Sequence, residues 1–143
     1  MPSETDYLLD THVWVWMLEG DLRRIGPRTR ASLSEAAFGG RLRVSPISAW
    51  EVGVLVRKER IGFSVPCAQW VQRAVNAPGI SLAPLTPAVA VDSSFLPGEF
   101  HGDPADRMLI ATARTNQATL LTVDAAILDY SRRGHVRAAD CRR

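Results

Sequence analysis

The chain is almost without lysine: sixteen of its seventeen basic residues are arginine, and Lys58 stands alone. Cysteine is nearly as scarce. Cys67 and Cys141 stand far apart, with no CxxC pair and no histidine cluster beside them, so buried or idle thiols are expected rather than a zinc site or a redox motif. His12, His101 and His135 likewise lack metal-ligand spacing. No apolar run exceeds the six residues of Val13–Leu18, far short of a bilayer span, so no membrane is expected as a partner. The opening MPSETDY has neither the basic region nor the apolar stretch of a secretory signal, so a cytoplasmic location is expected. No GxGxxG and no P-loop lysine motif supports nucleotide binding. There is no internal repeat, low-complexity tract or linker.

What is present is ordinary in amount. With 143 residues, 46% of them hydrophobic and 22% charged, residues 1–143 are expected to form a single domain with a real core. The formal charge is only +2. Arginine suits phosphate, because its planar fork binds two oxygens. A GC-rich genome also favours arginine and alanine, so composition alone does not establish a nucleic-acid partner.

Along the chain, Tyr7-Leu8-Leu9 predicts a buried first strand closed by Asp10, and THVWVWML a helix turning near Gly20. Pro27 to Phe38 predicts a second helix, and Leu42 to Val44 a brief strand. SPISAWEVGVLVRKERIG is a helix stopped by Gly62, with Ile47, Trp50 and Val54 on one face and Ser48, Glu51 and Leu55 on the next. A helix over Pro66–Asn76, a strand over Gly79–Pro84 and a short helix capped by Thr86 follow. Then come a helix ending near Asn116, a strand over Thr119–Val123, a helix in AAILDYSRR and an edge strand at Val136–Ala138. Strands alternating with helices predict an α/β fold, a mainly parallel sheet with helices on both faces.

The acids stand out against that pattern. In HGDPADRMLIATA, Asp103 suits an N-cap, Pro104 the first helical position, and Asp106 the first turn. Asp10 and Asp124 follow apolar strands, and either also suits a cap; Glu51 could equally be a solvated helix residue. Ligands of open α/β sheets bind beyond the carboxyl ends of the strands, and a parallel sheet is able to gather Asp10, Glu51, Asp106 and Asp124 at that edge. Four carboxylates together repel unless a cation neutralises them, and hard oxygen ligands suit Mg²⁺ or Mn²⁺.

In LLDTHVWVW, SPISAWEV, HGDPADRMLIATA and LLTVD, in that order over roughly residues 7 to 130, the sequence resembles a PIN domain. More narrowly, it is similar to the VapC-type toxins of bacterial type II toxin–antitoxin modules. The resemblance implies a PIN-like α/β/α sandwich and a Mg²⁺- or Mn²⁺-dependent ribonuclease centre. Its four acids match Asp10, Glu51, Asp106 and Asp124, as catalytic and metal-holding residues. Thr122 matches the small hydroxyl residue accompanying the last acid, and Asp103 belongs to the HxDPxDR signature, where it is expected to cap the helix. Arg107 is expected to orient a carboxylate, meet a phosphate or make a surface salt bridge.

The implied chemistry is hydrolysis of an RNA phosphodiester, leaving 5′-phosphate and 3′-hydroxyl ends. The implied partners are RNA, a cognate antitoxin protein and a second copy of the chain; Trp14 and Trp16 are candidates for protein contact, with burial in the core the safer expectation. Setting aside the four acids leaves 11 acidic against 17 basic residues, an acidic hole in a basic surface of +6. Arg132 and Arg133 follow Asp124 closely, but which arginines meet RNA is open. The alternative is a catalytically silent PIN-like module that only binds RNA or a partner. Aspartyl-phosphate enzymes fit poorly: a dehalogenase-type phosphatase needs an acid where His12 stands, and a receiver domain needs a strand-end lysine.

Overall fold

The computed structural model describes residues 4–143, so the first three residues of the expected domain and of MPSETDY lie outside the described residues. The elements run β1 (Tyr7–Leu9), α1 (Thr11–Leu18), a 3₁₀ turn (Leu22–Arg24), α2 (Pro27–Phe38), β2 (Leu42–Val44) and α3 (Pro46–Arg57). They continue as α4 (Cys67–Ala74), β3 (Ile80–Leu82), α5 (Pro87–Asp92), α6 (Pro104–Asn116), β4 (Thr119–Thr122), α7 (Ala125–Arg132) and β5 (Ala138–Asp140). All five strands are parallel, in the order β3-β2-β1-β4-β5.

Adjacent strand residues point to opposite faces, and the core divides accordingly. Leu8 and Leu120 join Leu109, Ile110, Ile127 and Tyr130 on the face covered by α6 and α7. Leu9 and Leu121 join Val13, Trp14, Leu33, Val52 and Trp70 on the face covered by α1, α2 and α4. Both faces are buried, so β1 reads as a continuous apolar run and the middle of β4 is the adjacent pair Leu120 and Leu121. The expected α/β/α sandwich is what forms.

Several boundaries differ from expectation. The last strand is Ala138–Asp140, not Val136–Ala138: pairing of Thr122 with Asp140 sets the register, while Val136 fills the core ahead of the strand. The helix α3 ends at Arg57 rather than Gly62, because Glu59 takes the left-handed conformation, φ 57°, that ends the helix. On α3 the inward positions are Ser48 and Val52, and Trp50 is 62% exposed. Trp14 is buried as expected.

Candidate functional site

The chain steps outward from β1 through β2 and β3, then returns to lay β4 and β5 on the other side. The strand order therefore reverses at β1, and the crevice beyond the carboxyl ends of β1 and β4 is the position where such sheets bind ligands. Asp10 leaves β1 at that crevice, and Asp124 lies two residues past the end of β4.

Asp10 is held by both oxygens. The Thr11 backbone N–H donates to Oδ1 at 2.7 Å, and the Thr122 hydroxyl donates to Oδ2 at 2.6 Å. Thr122, itself fully buried, accepts the Asp124 backbone N–H at 2.9 Å, so one hydroxyl ties the two strand ends together. Asp124 caps α7, its Oδ1 accepting the Ile127 N–H at 3.0 Å. Burial pushes the Asp10 carboxyl above its ordinary range, against the pull of the Thr122 and Thr11 hydrogen bonds.

Two further acids face the crevice from α3 and α6. Glu51 accepts the Thr11 hydroxyl at 2.6 Å, and the Ser48 hydroxyl oxygen lies 2.9 Å from that of Thr11. Its carboxyl is raised, first by burial, then by the charges of Asp10 and Asp103. Asp106 follows the cap of α6, where Asp103 Oδ1 accepts the Asp106 backbone N–H at 2.9 Å. Gly102 lets the loop pass here, since a Cβ on it would run into the Phe100 ring. The Asp106 carboxyl is pushed up to about 7, by burial and then by Asp103, Asp10, Asp124 and Glu51. Four acids from distant stretches of sequence are thus near enough for their charges to help raise Asp10, Glu51 and Asp106, with Asp103 at the rim both capping the helix and adding its charge.

Arg107 is bonded to backbone carbonyls, not to one of the site carboxylates. Its Nε donates to the Ser93 carbonyl at 2.8 Å and its Nη1 to the Phe100 carbonyl at 2.6 Å, pinning the loop that leads into α6. Sequence reasoning passed over Thr11 and Ser48; the visible signal was a hydroxyl residue directly after a strand-end aspartate.

The donor set consists of carboxylates, with hydroxyls behind them. Among the described residues no three acidic, histidine or cysteine side chains stand close enough to enclose an ion by themselves. An open ring of hard oxygens suits a cation that keeps several of its own waters, as Mg²⁺ does. The raised carboxyls of Asp10, Glu51 and Asp106, with only the charge of His12 nearby to oppose the rise at Asp10, fit that group. A cavity of about 770 Å³ lies elsewhere: Thr119 and Ala138, the first residues of β4 and β5, line it at the opposite edge of the sheet.

The PIN domain model matches residues 7–133, and the chain belongs to the PIN-domain family. It is similar to Ribonuclease VapC22 of Mycobacterium tuberculosis, at 34% identity over 120 residues, 84% of this chain and 88% of that protein. Among solved structures, DNA-bound VapBC from Salmonella typhimurium superposes with TM-score 0.67 at 14% identity, covering 95% of this chain and 98% of that one. A toxin–antitoxin complex from Klebsiella pneumoniae gives TM-score 0.55 at 21% identity over 83% and 87% of the two chains. At those identities the two structures speak to the fold.

Proposed function

We propose that this chain, as one domain over residues 1–143, is a metal-dependent endoribonuclease and the toxin of a type II toxin–antitoxin pair. One observation carries the reading: Asp10, Glu51, Asp106 and Asp124 gather at the switch point of a chain 34% identical to a VapC ribonuclease. Asp10, Asp106 and Asp124, with Glu51, are the residues that would hold Mg²⁺ or Mn²⁺. When bound, such a cation neutralises the acids, draws charge from a phosphate oxygen and makes water a stronger nucleophile at neutral pH.

The chain's own residues prepare that work. Thr122 and the Thr11 N–H fix the Asp10 carboxylate, and Thr11 also fixes Glu51. Asp103 caps α6 and so sets Asp106 in its first turn. Asp124, at the mouth of the crevice, is fixed by capping α7 through Oδ1. Nothing in this arrangement calls for a covalent intermediate.

The partner inferred is an antitoxin protein, since the fold is shared with a toxin–antitoxin complex. A second copy of the chain is supported by large apolar side chains left exposed, Trp50, Val91 and Phe95 among them. The reading puts its action on RNA in the cytoplasm; among the described residues no helix is long and apolar enough to cross a membrane. Induced expression without antitoxin should arrest bacterial growth and produce discrete RNA fragments, and Asp10→Asn should abolish both. Growth arrest that survives Asp10→Asn would contradict the reading.

A further inference from the structure

Resting on the ribonuclease reading above, we propose that the pocket between Trp16, Arg23, Arg24 and Arg142 is the subsite for an RNA nucleotide flanking the cut. Its base lies against the Trp16–Arg24 pair, and its phosphate meets the exposed guanidinium groups. The pocket is about 340 Å³ and adjoins the acids directly: Val123, which lines it, stands between Thr122 and Asp124. Helix α1 links the two places, because Asp10 is its N-cap and Trp16 lies about 9 Å further along the axis. His12 and Trp16, four residues apart, share one face of α1 with ring centroids 5.9 Å apart. A strand of RNA leaving the acid cluster along this face meets aromatic rings first and arginines next.

The chemistry of the lining fits a nucleotide. The Arg24 guanidinium sits over the Trp16 ring, 5.3 Å from its centroid, and both planes stack with nucleobases. Asp21 takes the Nε of Arg23 at 3.5 Å and of Arg24 at 3.0 Å, orienting both side chains. Asp140 grips Arg142 through Nε at 2.8 Å and Nη2 at 2.7 Å. Three cations against two carboxylates leave the pocket positive, and the three arginine side chains are 93%, 59% and 62% exposed. The wall is built in place: the Gly26 N–H donates to the Cys141 carbonyl at 2.8 Å, and a Cβ on Gly26 would strike the backbone of Arg142 and Arg143. Two arginines nearer the other site acids are held by groups outside this pocket. Arg107 holds two carbonyls, and Arg133 holds Asp129, the Glu99 carbonyl and the Tyr130 ring.

The test measures binding of a short fluorescein-labelled single-stranded RNA of random sequence to the full chain carrying Asp10→Asn, which prevents cutting. Adding Arg24→Ala and Arg142→Ala should weaken binding about tenfold and lower the salt slope by about 0.7 for each phosphate no longer neutralised. In the cutting-competent chain, Trp16→Phe, which keeps an aromatic packed against the core, should raise KM with kcat little changed and shift the preferred cut sites. Arg137→Ala, at the opposite edge of the sheet, serves as the control. Arginine variants that bind within twofold of their parent, with the same salt slope, would overturn the proposal. So would unchanged RNA binding with impaired antitoxin capture, which would assign the pocket to the protein partner. Failure of the parent chain both to bind and to cut RNA would bring down the ribonuclease reading, and this subsite with it.

Discussion

Asp106 carries much of the electrostatic cost of the site. Its carboxyl titrates near 7 in the fold against an ordinary 3.8, so the folded chain holds that proton more tightly than the unfolded chain does. The stability this confers is fully present below the ordinary value and is lost as pH rises through about 7. Asp10 and Glu51 are raised too, and they push the same way. Thermal denaturation in chelator should therefore show the midpoint falling between about pH 4 and pH 7, with a shallower fall in Asp106→Asn. At neutral pH, Mg²⁺ should raise the parent's midpoint and do much less for the variant. Thr122 gives a second residue-level prediction, since its hydroxyl serves both Asp10 and the Asp124 N–H. Thr122→Val should lower metal affinity or cleavage about 10–100-fold, measured by titration calorimetry and RNA cleavage, with Thr122→Ser retaining most of both.

At the scale of elements, helix α6 separates holding from chemistry. Asp103→Asn keeps the cap and should cost little stability, whereas Asp103→Ala should cost about 0.5–2 kcal/mol in denaturant unfolding. Neither should abolish cleavage; loss in the Asn variant equal to that of Asp106→Asn would make Asp103 a full member of the site. This helix also shows what was legible before the structure. Asp103 and Pro104 announced its start, and Ser45-Pro46 and Thr86-Pro87 announced two others, because cap chemistry is local. The end of α3 was not legible: Glu59 breaks the helix from a left-handed conformation that an acid rarely signals. The last strand was misplaced by two residues, since a three-residue strand shows almost no period and its register comes from β4. Asp10 and Asp124 were ambiguous for a deeper reason: each does cap a helix, so the local signal for a cap and for a site acid is the same residue.

At the scale of the molecule, topology sets those two caps beside two further acids. A reversal of strand order at β1 brings residues 10, 51, 106 and 124 to one edge, which only the order of alternating strands and helices foreshadowed. The pocket around Trp16 was invisible in sequence, because its wall joins the start of α2 to residues 141–143 across the whole chain. Charge follows the same plan, with +2 overall but +6 once the four site acids are set aside. RNA binding should accordingly fall steeply as salt rises, as it does when basic residues displace counterions from a polyanion. The most direct measurement incubates antitoxin-free protein with end-labelled total cellular RNA in Mg²⁺, Mn²⁺ or chelator, beside Asp106→Asn. The account predicts discrete cuts that require the cation and vanish in the variant. RNA left intact by the parent under every condition, or cut equally in chelator and by the variant, would contradict it.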